Sequence, residues 1–207
     1  MKKPIFVSAL CMFALLSHAQ STHNYATENA TNTHVEFGLK GGLNIAELHN
    51  NDADYKSRIS FNAGGLAHIH FSRYFALQPE LMYSGQGRKL TVEGRDIKTK
   101  LSYINMPVLL QYMVNNSGLR VQTGPQIGWL VNAKSEVNDQ HNDIKDNFKN
   151  TDFSWVFGTS YLTRCGFGVD ARYNLGINNI NKNEDNSSNK LKNSVFAVGV
   201  FYQFKAK

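Results

Sequence analysis

Apolar residues recur at every second position along most of this chain, and that period predicts strands. Over 34–46 the odd positions Val35, Phe37, Leu39, Leu43 and Ile45 are apolar, while Glu36, Gly38, Lys40, Gly42 and Asn44 fill the other face. The same parity holds over 60–71, where Phe61, Ala63, Ala67, Ile69 and Phe71 alternate with Ser60, Asn62, Gly64, His68 and His70. It holds again over 75–87, with Phe75, Leu77, Leu81 and Tyr83 opposite Gln78, Glu80, Ser84 and Gln86. Over 101–114 the apolar set moves to even positions: Ile104, Met106, Val108, Leu110, Tyr112 and Val114. Segments 119–131, 151–163, 166–177 and 194–204 continue the alternation, with Arg120, Gln122, Asp152, Asp170 and Arg172 among the polar positions. Eight amphipathic strands without a convincing helix predict an all-β chain.

The connections alternate in length. Ser72-Arg73-Tyr74, Asn115-Asn116-Ser117-Gly118 and Thr163-Arg164-Cys165 are short turns, whereas 46–59, 88–100, 132–150 and 178–193 are long and polar. Tight turns at one rim and long loops at the other predict an eight-stranded antiparallel up-and-down transmembrane β-barrel, with its short turns periplasmic and its first strand running outward. Pro79, Pro107 and Pro125 fall inside neighbouring strands, where a closed barrel has no free edge to accommodate a missing N–H. A bulge or a local gap in the ladder is expected there.

Alternation alone does not say which face meets lipid. An eight-stranded barrel has an interior just wide enough for side chains to fill it, and the bulky apolar set would overfill it. The other face carries Gly38, Gly42, Gly64, Gly124, Gly128, Gly158, Gly168 and Gly176, a composition suited to a crowded lumen. The apolar face is therefore assigned to lipid. Aromatic residues near the strand ends support this: Phe37, Phe71, Phe75, Tyr112, Tyr161 and Phe167 at the short-turn rim, and Phe61, Tyr83, Trp129 and Phe153 at the other, match two interfacial girdles. A soluble periplasmic barrel with its apolar face inward is the competing arrangement.

The first 19 residues change the picture by supplying an address. Lys2 and Lys3, an apolar run over 5–16, and Ser17-His18-Ala19 predict a secretory signal peptide (1–19) cleaved before Gln20. The run is too short for a spanning helix of roughly 20 residues, and Leu10 ahead of Cys11 fits a lipoprotein signal poorly. A polar N-terminal linker over 20–33 precedes the barrel domain over 34–207. Cleavage removes Cys11 and leaves Cys165 alone, so an intramolecular disulfide is not expected. Formal charge falls from +6 to +4 as two lysines leave, and the remaining cations are scattered, which argues against nucleic acid as a partner.

Five charged residues fall on the lumen face: Lys40, Glu80, Arg120, Asp170 and Arg172. Enclosed charges must pair, because an isolated one costs several kcal/mol, so an ion-pair network plugging the interior is expected. A ligand or proton path is the alternative. His68 and His70 share a strand face and raise the question of a metal, but further ligands are not evident in the sequence. His141 and Asp143 are assigned to a solvated loop, and His49, Asp52 and Asp54 are too ordinary a set to carry catalysis. Hydrolase, zincin and P-loop motifs are absent from the sequence. The expectation is a non-enzyme with no catalytic residue, no cofactor and no metal.

Several stretches together carry a family resemblance: GLKGGLNIAEL (38–48), LQPELMYSGQG (77–87), YINMPVLLQYMV (103–114), VQTGPQIGWLV (121–131), VDARYNLGINNI (169–180) and FAVGVFYQF (196–204). They resemble the outer-membrane β-barrel family of Bacteroidetes called PorT-like or porin-family proteins, across almost the whole mature chain. The resemblance implies outer-membrane placement, accounts for the prolines, and allows a role in protein secretion. It also implies assembly by the barrel-assembly machinery, which commonly reads a terminal aromatic; here Lys205-Ala206-Lys207 follow Phe204. The partners expected are outer-membrane lipid and envelope or secretion proteins meeting the long loops, with the barrel itself a monomer. Small-molecule binding or transport through the lumen is the alternative function.

Overall fold

A computed structural model describes residues 34–49, 56–92, 95–114, 117–137, 140–145, 148–179 and 192–204. The signal peptide, the 20–33 segment, Asp52, Asp54 and the C-terminal Lys205-Ala206-Lys207 lie outside the described residues. The strands are β1 (His34–His49), β2 (Lys56–His70), β3 (Phe75–Val92), β4 (Arg95–Met113), β5 (Leu119–Val137), β6 (Gln140–Asp143), β7 (Thr151–Leu162), β8 (Phe167–Gly176) and β9 (Lys192–Gln203). All except β6 form a closed eight-stranded antiparallel barrel in which chain neighbours pair and β1 also pairs with β9. The short β6 is an extra ribbon, paired to the end of β5 from Lys134↔Asp143 to Val137↔Gln140.

Two of the expected long loops are largely strand. Residues 88–92 and 95–100 belong to the β3–β4 ladder, which runs in one register from Phe75↔Tyr112 to Val92↔Arg95, with only 93 and 94 between the strands. Residues 132–137 likewise extend β5. These extensions run beyond the segments of sustained apolar alternation. Backbone hydrogen bonds hold them, and a reading based on apolar alternation stops too early. At the opposite rim the short turns behave as expected. Gly118 and Gly166 sit there at positive φ, +74° and +92°, so position 166 is turn and β8 begins at Phe167.

The prolines produce gaps rather than bulges. Pairing of β3 with β4 is interrupted between Pro79↔Val108 and Met82↔Asn105, and that of β4 with β5 between Pro107↔Gln126 and Leu110↔Thr123, with the register unchanged across each gap. The register slips lie elsewhere, between Ser57 and Asn62 and between Ser102 and Tyr103.

The two faces separate as the alternation requires. Phe37, Leu39, Leu43, Phe61, Leu81, Phe157, Val169 and Val200 are exposed on the outside, while Lys40, Asn44, Gln78, Glu80, Gln122 and Asp170 are buried within. Aromatic neighbours touch along both ends of the outer face, Phe75–Tyr112 with ring centres 5.4 Å apart and Phe167–Tyr202 at 4.9 Å on the short-turn side, Phe61–Tyr83 at 5.4 Å on the other. The lumen is less uniformly small and polar than its glycines suggest. Leu101, Tyr103, Leu109 and Phe201 point inward and are buried. Gly168 explains one of them, because a Cβ there would collide with the Phe201 ring.

A plugged lumen as the candidate functional site

The side chains that meet inside the barrel come from strands far apart in sequence, brought together by the inward parity of each. At mid-height Arg172 of β8 donates through Nη1 to Glu80 Oε2 of β3 at 2.7 Å and through Nη2 to Glu80 Oε1 at 2.6 Å. Glu80 Oε1 also accepts from Gln78 Nε2 at 2.6 Å. Arg172 Nε lies 2.7 Å from Asp170 Oδ2, and Asp170 in turn accepts from Lys40 Nζ of β1. Two cations and two carboxylates thus close a neutral cluster, every member under one tenth exposed. Bidentate geometry is the strong form of such a pair.

Arg120, the fifth residue expected in the network, stands apart from it. Its Nη1 donates to Gln203 Oε1 at 3.0 Å, and Gln203 donates to Glu36. This second group sits toward the short-turn rim with the histidines. There Glu36 lies 3.4 Å from His34 Nε2 and 4.0 Å from His70 Nε2, and His68, fully buried, meets Gln78 Oε1 through Nδ1 at 3.1 Å. The His68 and His70 rings pack edge to face, 4.4 Å apart. Among the described residues no group of three His, Cys, Asp or Glu is arranged to hold a metal ion.

Above the ion cluster a second hydrogen-bonded network, built mainly from amides and hydroxyls, crosses the outer half of the lumen. Asn44 Nδ2 donates to Ser84 Oγ and to the Gly85 carbonyl, each at 2.8 Å, and its Oδ1 accepts from Asn62 at 2.5 Å. Asn193 Nδ2 donates to Gln86 and to Asp152 Oδ2, the latter at 3.1 Å. Asp152, a charged residue on the inward parity of the 151–163 segment, belongs to this lumen set in addition to the five charges expected there. Over the mouth lies an apolar stopper: Leu101, Tyr103, Leu130 and Ala133 form a buried cluster against which Ile144 and Phe148 pack. The bulge in β5 beside Ser102 and Tyr103 is what turns Ala133 inward with Leu130. Nothing periodic in 138–150 announced this cap. The pair Ile144 and Phe148 in an otherwise polar loop was the available signal. His141 and Asp143 fall on β6, paired to β5, rather than in a loop. A groove of about 600 Å3 lies instead on the outer wall, beside Gly41, Leu43, Val169, Ala171, Val198 and Val200.

A closed barrel with bulky residues outside and a salt-bridged interior defines a lipid-embedded β-barrel. The outer membrane protein beta-barrel domain family matches residues 18–182, and the chain belongs to that family, which places it in the outer membrane. Among solved structures it is similar to Neisserial surface protein A (NspA), with a TM-score of 0.54 and 13% identity over 81% of this chain and 97% of that one. It is also similar to Ail, the attachment invasion locus protein of Yersinia pestis, with a TM-score of 0.51 and 15% identity over 82% of this chain and 98% of that one. Ail in complex with the heparin analogue sucrose octasulfate gives a TM-score of 0.50 and 15% identity over 82% of this chain and 99% of that one. No curated protein sequence matches the chain.

Proposed function

We propose that this chain is a non-enzymatic outer-membrane barrel that works through its outer surface, its extended strands and loops serving as an interaction platform in the envelope. The observation that carries the reading is the lumen itself. The Lys40–Asp170–Arg172–Glu80 cluster spans its middle and the Ile144 and Phe148 stopper covers its outer end, leaving interaction to the rim. Short turns face the periplasm and the β3–β4 and β5–β6 extensions face outward, as in barrels of this class. The chain is exported by a signal peptide cleaved before Gln20, the 20–33 segment acts as a linker, and the barrel is monomeric. Its PorT-like motifs support placement in that Bacteroidetes branch and, through it, a role beside protein export. Planar-bilayer recording of the refolded barrel tests the plugged lumen: the expected trace lacks large steady currents, and porin-like conductance refutes it in favour of transport through the lumen.

A further inference from the structure

Three carboxylates are buried among the described residues: Glu80, Asp152 and Asp170. Arg172 and Lys40 neutralise Glu80 and Asp170, whereas no described Lys, Arg or His lies within ion-pair distance of Asp152. The described cations of the outer half are engaged elsewhere. Arg58 donates to the Gln86 carbonyl at 2.6 Å and has Glu136 as the acid acting on it, Lys100 binds Glu136, and Lys145 donates to the Val131 carbonyl at 3.3 Å. Lys134 and Lys149 are exposed. The Asp152 side chain keeps a single hydrogen bond, accepted by Oδ2 from Asn193 Nδ2 at 3.1 Å, and its Oδ1 has no partner.

Two more buried oxygens without a partner belong with it. Asn193 spends Nδ2 on both Gln86 Oε1 and Asp152 Oδ2, which leaves its Oδ1 as an unmet acceptor. The Tyr103 hydroxyl is buried without a partner, and Asp152 is the charge that acts on it. The ladder accounts for the meeting. Asp152 of β7 stands opposite Gly128 of β5, and Gly128 opposite Asn105 of β4, two positions from Tyr103 on the same inward face. A Cβ at position 128 would lie 2.5 Å from Asn105 Oδ1 and 3.4 Å from Tyr103 Cδ1. The missing side chain therefore lets both β4 residues lie across β5, toward the strand that carries Asp152.

The donor set identifies the missing partner. A carboxylate, an amide carbonyl and a phenol present oxygen only, with one negative charge among them. Water bridges such oxygens but leaves the charge uncompensated, and an isolated buried charge is costly. A hard cation satisfies the oxygens and the charge together. Charge balance selects a monovalent ion, because Ca2+ takes roughly 6–8 oxygens and no second acid among the described residues joins this group.

We propose that Asp152, Asn193 and Tyr103 hold a monovalent cation, an alkali-metal or ammonium ion, in the outer half of the lumen. Tyr103 joins the ion to the stopper, since its ring packs with Leu101, Leu130 and Ala133 while its hydroxyl serves the site. The bound ion completes the plug by neutralising the enclosed charge that the protein itself leaves open. The proposal rests on the closed lumen given under Proposed function.

The test uses the full mature barrel refolded in micelles, titrated with the chlorides of sodium, potassium and ammonium against N-methylglucamine, a cation too bulky for the site, at constant ionic strength. Tm is read by tryptophan fluorescence, and retarded migration of each unheated protein on SDS gels checks folding. At about tenfold excess over Kd the bound ion is expected to raise Tm by about 3–6 °C over N-methylglucamine, and the ion with the lowest half-saturation point is the one the site takes. Asp152→Asn is expected to lose the shift. Tyr103→Phe keeps the ring in the stopper, provides a second variant independent of the first, and is expected to need several-fold more ion for the same shift. A wild-type Tm equal in all four salts overturns the proposal, as does one that depends on pH but not on the ion, which would mean that a proton neutralises Asp152. A shift that Asp152→Asn retains, or a Tyr103→Phe half-saturation point equal to that of wild type, overturns it as well. Planar-bilayer recording of the same preparation separates the two readings: large steady currents overturn the closed lumen itself, whereas a silent barrel without an ion-dependent shift overturns the cation site alone.

Discussion

Replacing Arg172 by methionine removes one of two cations from a buried group that also holds two carboxylates. Glu80 then loses two charge-assisted hydrogen bonds of 2.6 and 2.7 Å and keeps only Gln78, and Asp170 keeps only Lys40. One uncompensated negative charge is left at a depth where water does not reach. Breaking a buried pair in this way costs about 3–5 kcal/mol, which at an m-value of about 2 kcal/mol/M lowers the urea midpoint by roughly 2 M. The double variant Glu80→Gln/Arg172→Met restores neutrality around Lys40–Asp170, so it is expected to recover most of the loss, because replacing both partners of a buried pair is often close to neutral. The assay is reversible urea unfolding in lipid vesicles, followed by tryptophan fluorescence and checked by gel migration. A single variant within about 1 kcal/mol of wild type, or a double variant whose loss equals the sum of two independent losses, refutes the claim that these residues form one closed charge cluster.

Further perturbations bear on other parts of the fold. Val200→Arg places a charge near mid-height of the outer face, where a lipid-facing cation costs about 2–4 kcal/mol; an unchanged unfolding midpoint in vesicles would refute a lipid-facing position for Val200. Gly64→Ala forces a Cβ onto the Leu81 carbonyl oxygen, and overpacking of this kind costs about 1–3 kcal/mol, visible as a lower temperature for the gel-migration transition. Phe148→Ala loosens the stopper on Leu101, Tyr103 and Leu130. Trypsin is expected to cut after Lys145 and Lys149 several-fold faster while the barrel stays folded, and equal cutting rates would mean that the cap contributes no local order.

Parity makes most of the fold legible in the sequence alone. Alternation over 34–46 or 166–177 assigns each residue to a face, and side-chain bulk orients the faces, so Lys40, Glu80, Asp170 and Arg172 were identifiable as enclosed charges from sequence alone. Which of them meet was not legible, because strand tilt and stagger set the height of each residue in the lumen. Arg120 shares the inward parity yet lies lower, at the level of Gln203. The β3–β4 extension was hidden for a different reason: RKLTVEGRDIKTK carries no sustained apolar alternation, so it reads as loop although backbone pairing continues through it. The inward turn of Ala133 depends on a one-residue slip, and a bulge reverses parity without leaving a compositional mark. Phe201 was obscured by the same averaging. A glycine directly opposite it on the neighbouring strand, Gly168, makes room for it, and that partnership exists only once β8 and β9 are side by side.

The seam between β1 and β9 has a consequence for how the molecule comes into being. Every other pairing in the barrel joins strands adjacent in the meander, while Leu39↔Tyr202 joins the two ends. Zipping successive hairpins is entropically gentle, and the large loop-closure cost, about 4–5 kcal/mol for a span of about 160 residues, falls on one final event. Until then both terminal strands present open edges that invite pairing with other chains, so chaperoned delivery matters most for the almost complete sheet. The Lys40–Asp170 and Glu80–Arg172 bridges span 130 and 92 positions and come within reach only as the sheet curls shut. They act as a latch set after closure, slowing escape from the finished barrel while leaving the rate of reaching it nearly untouched.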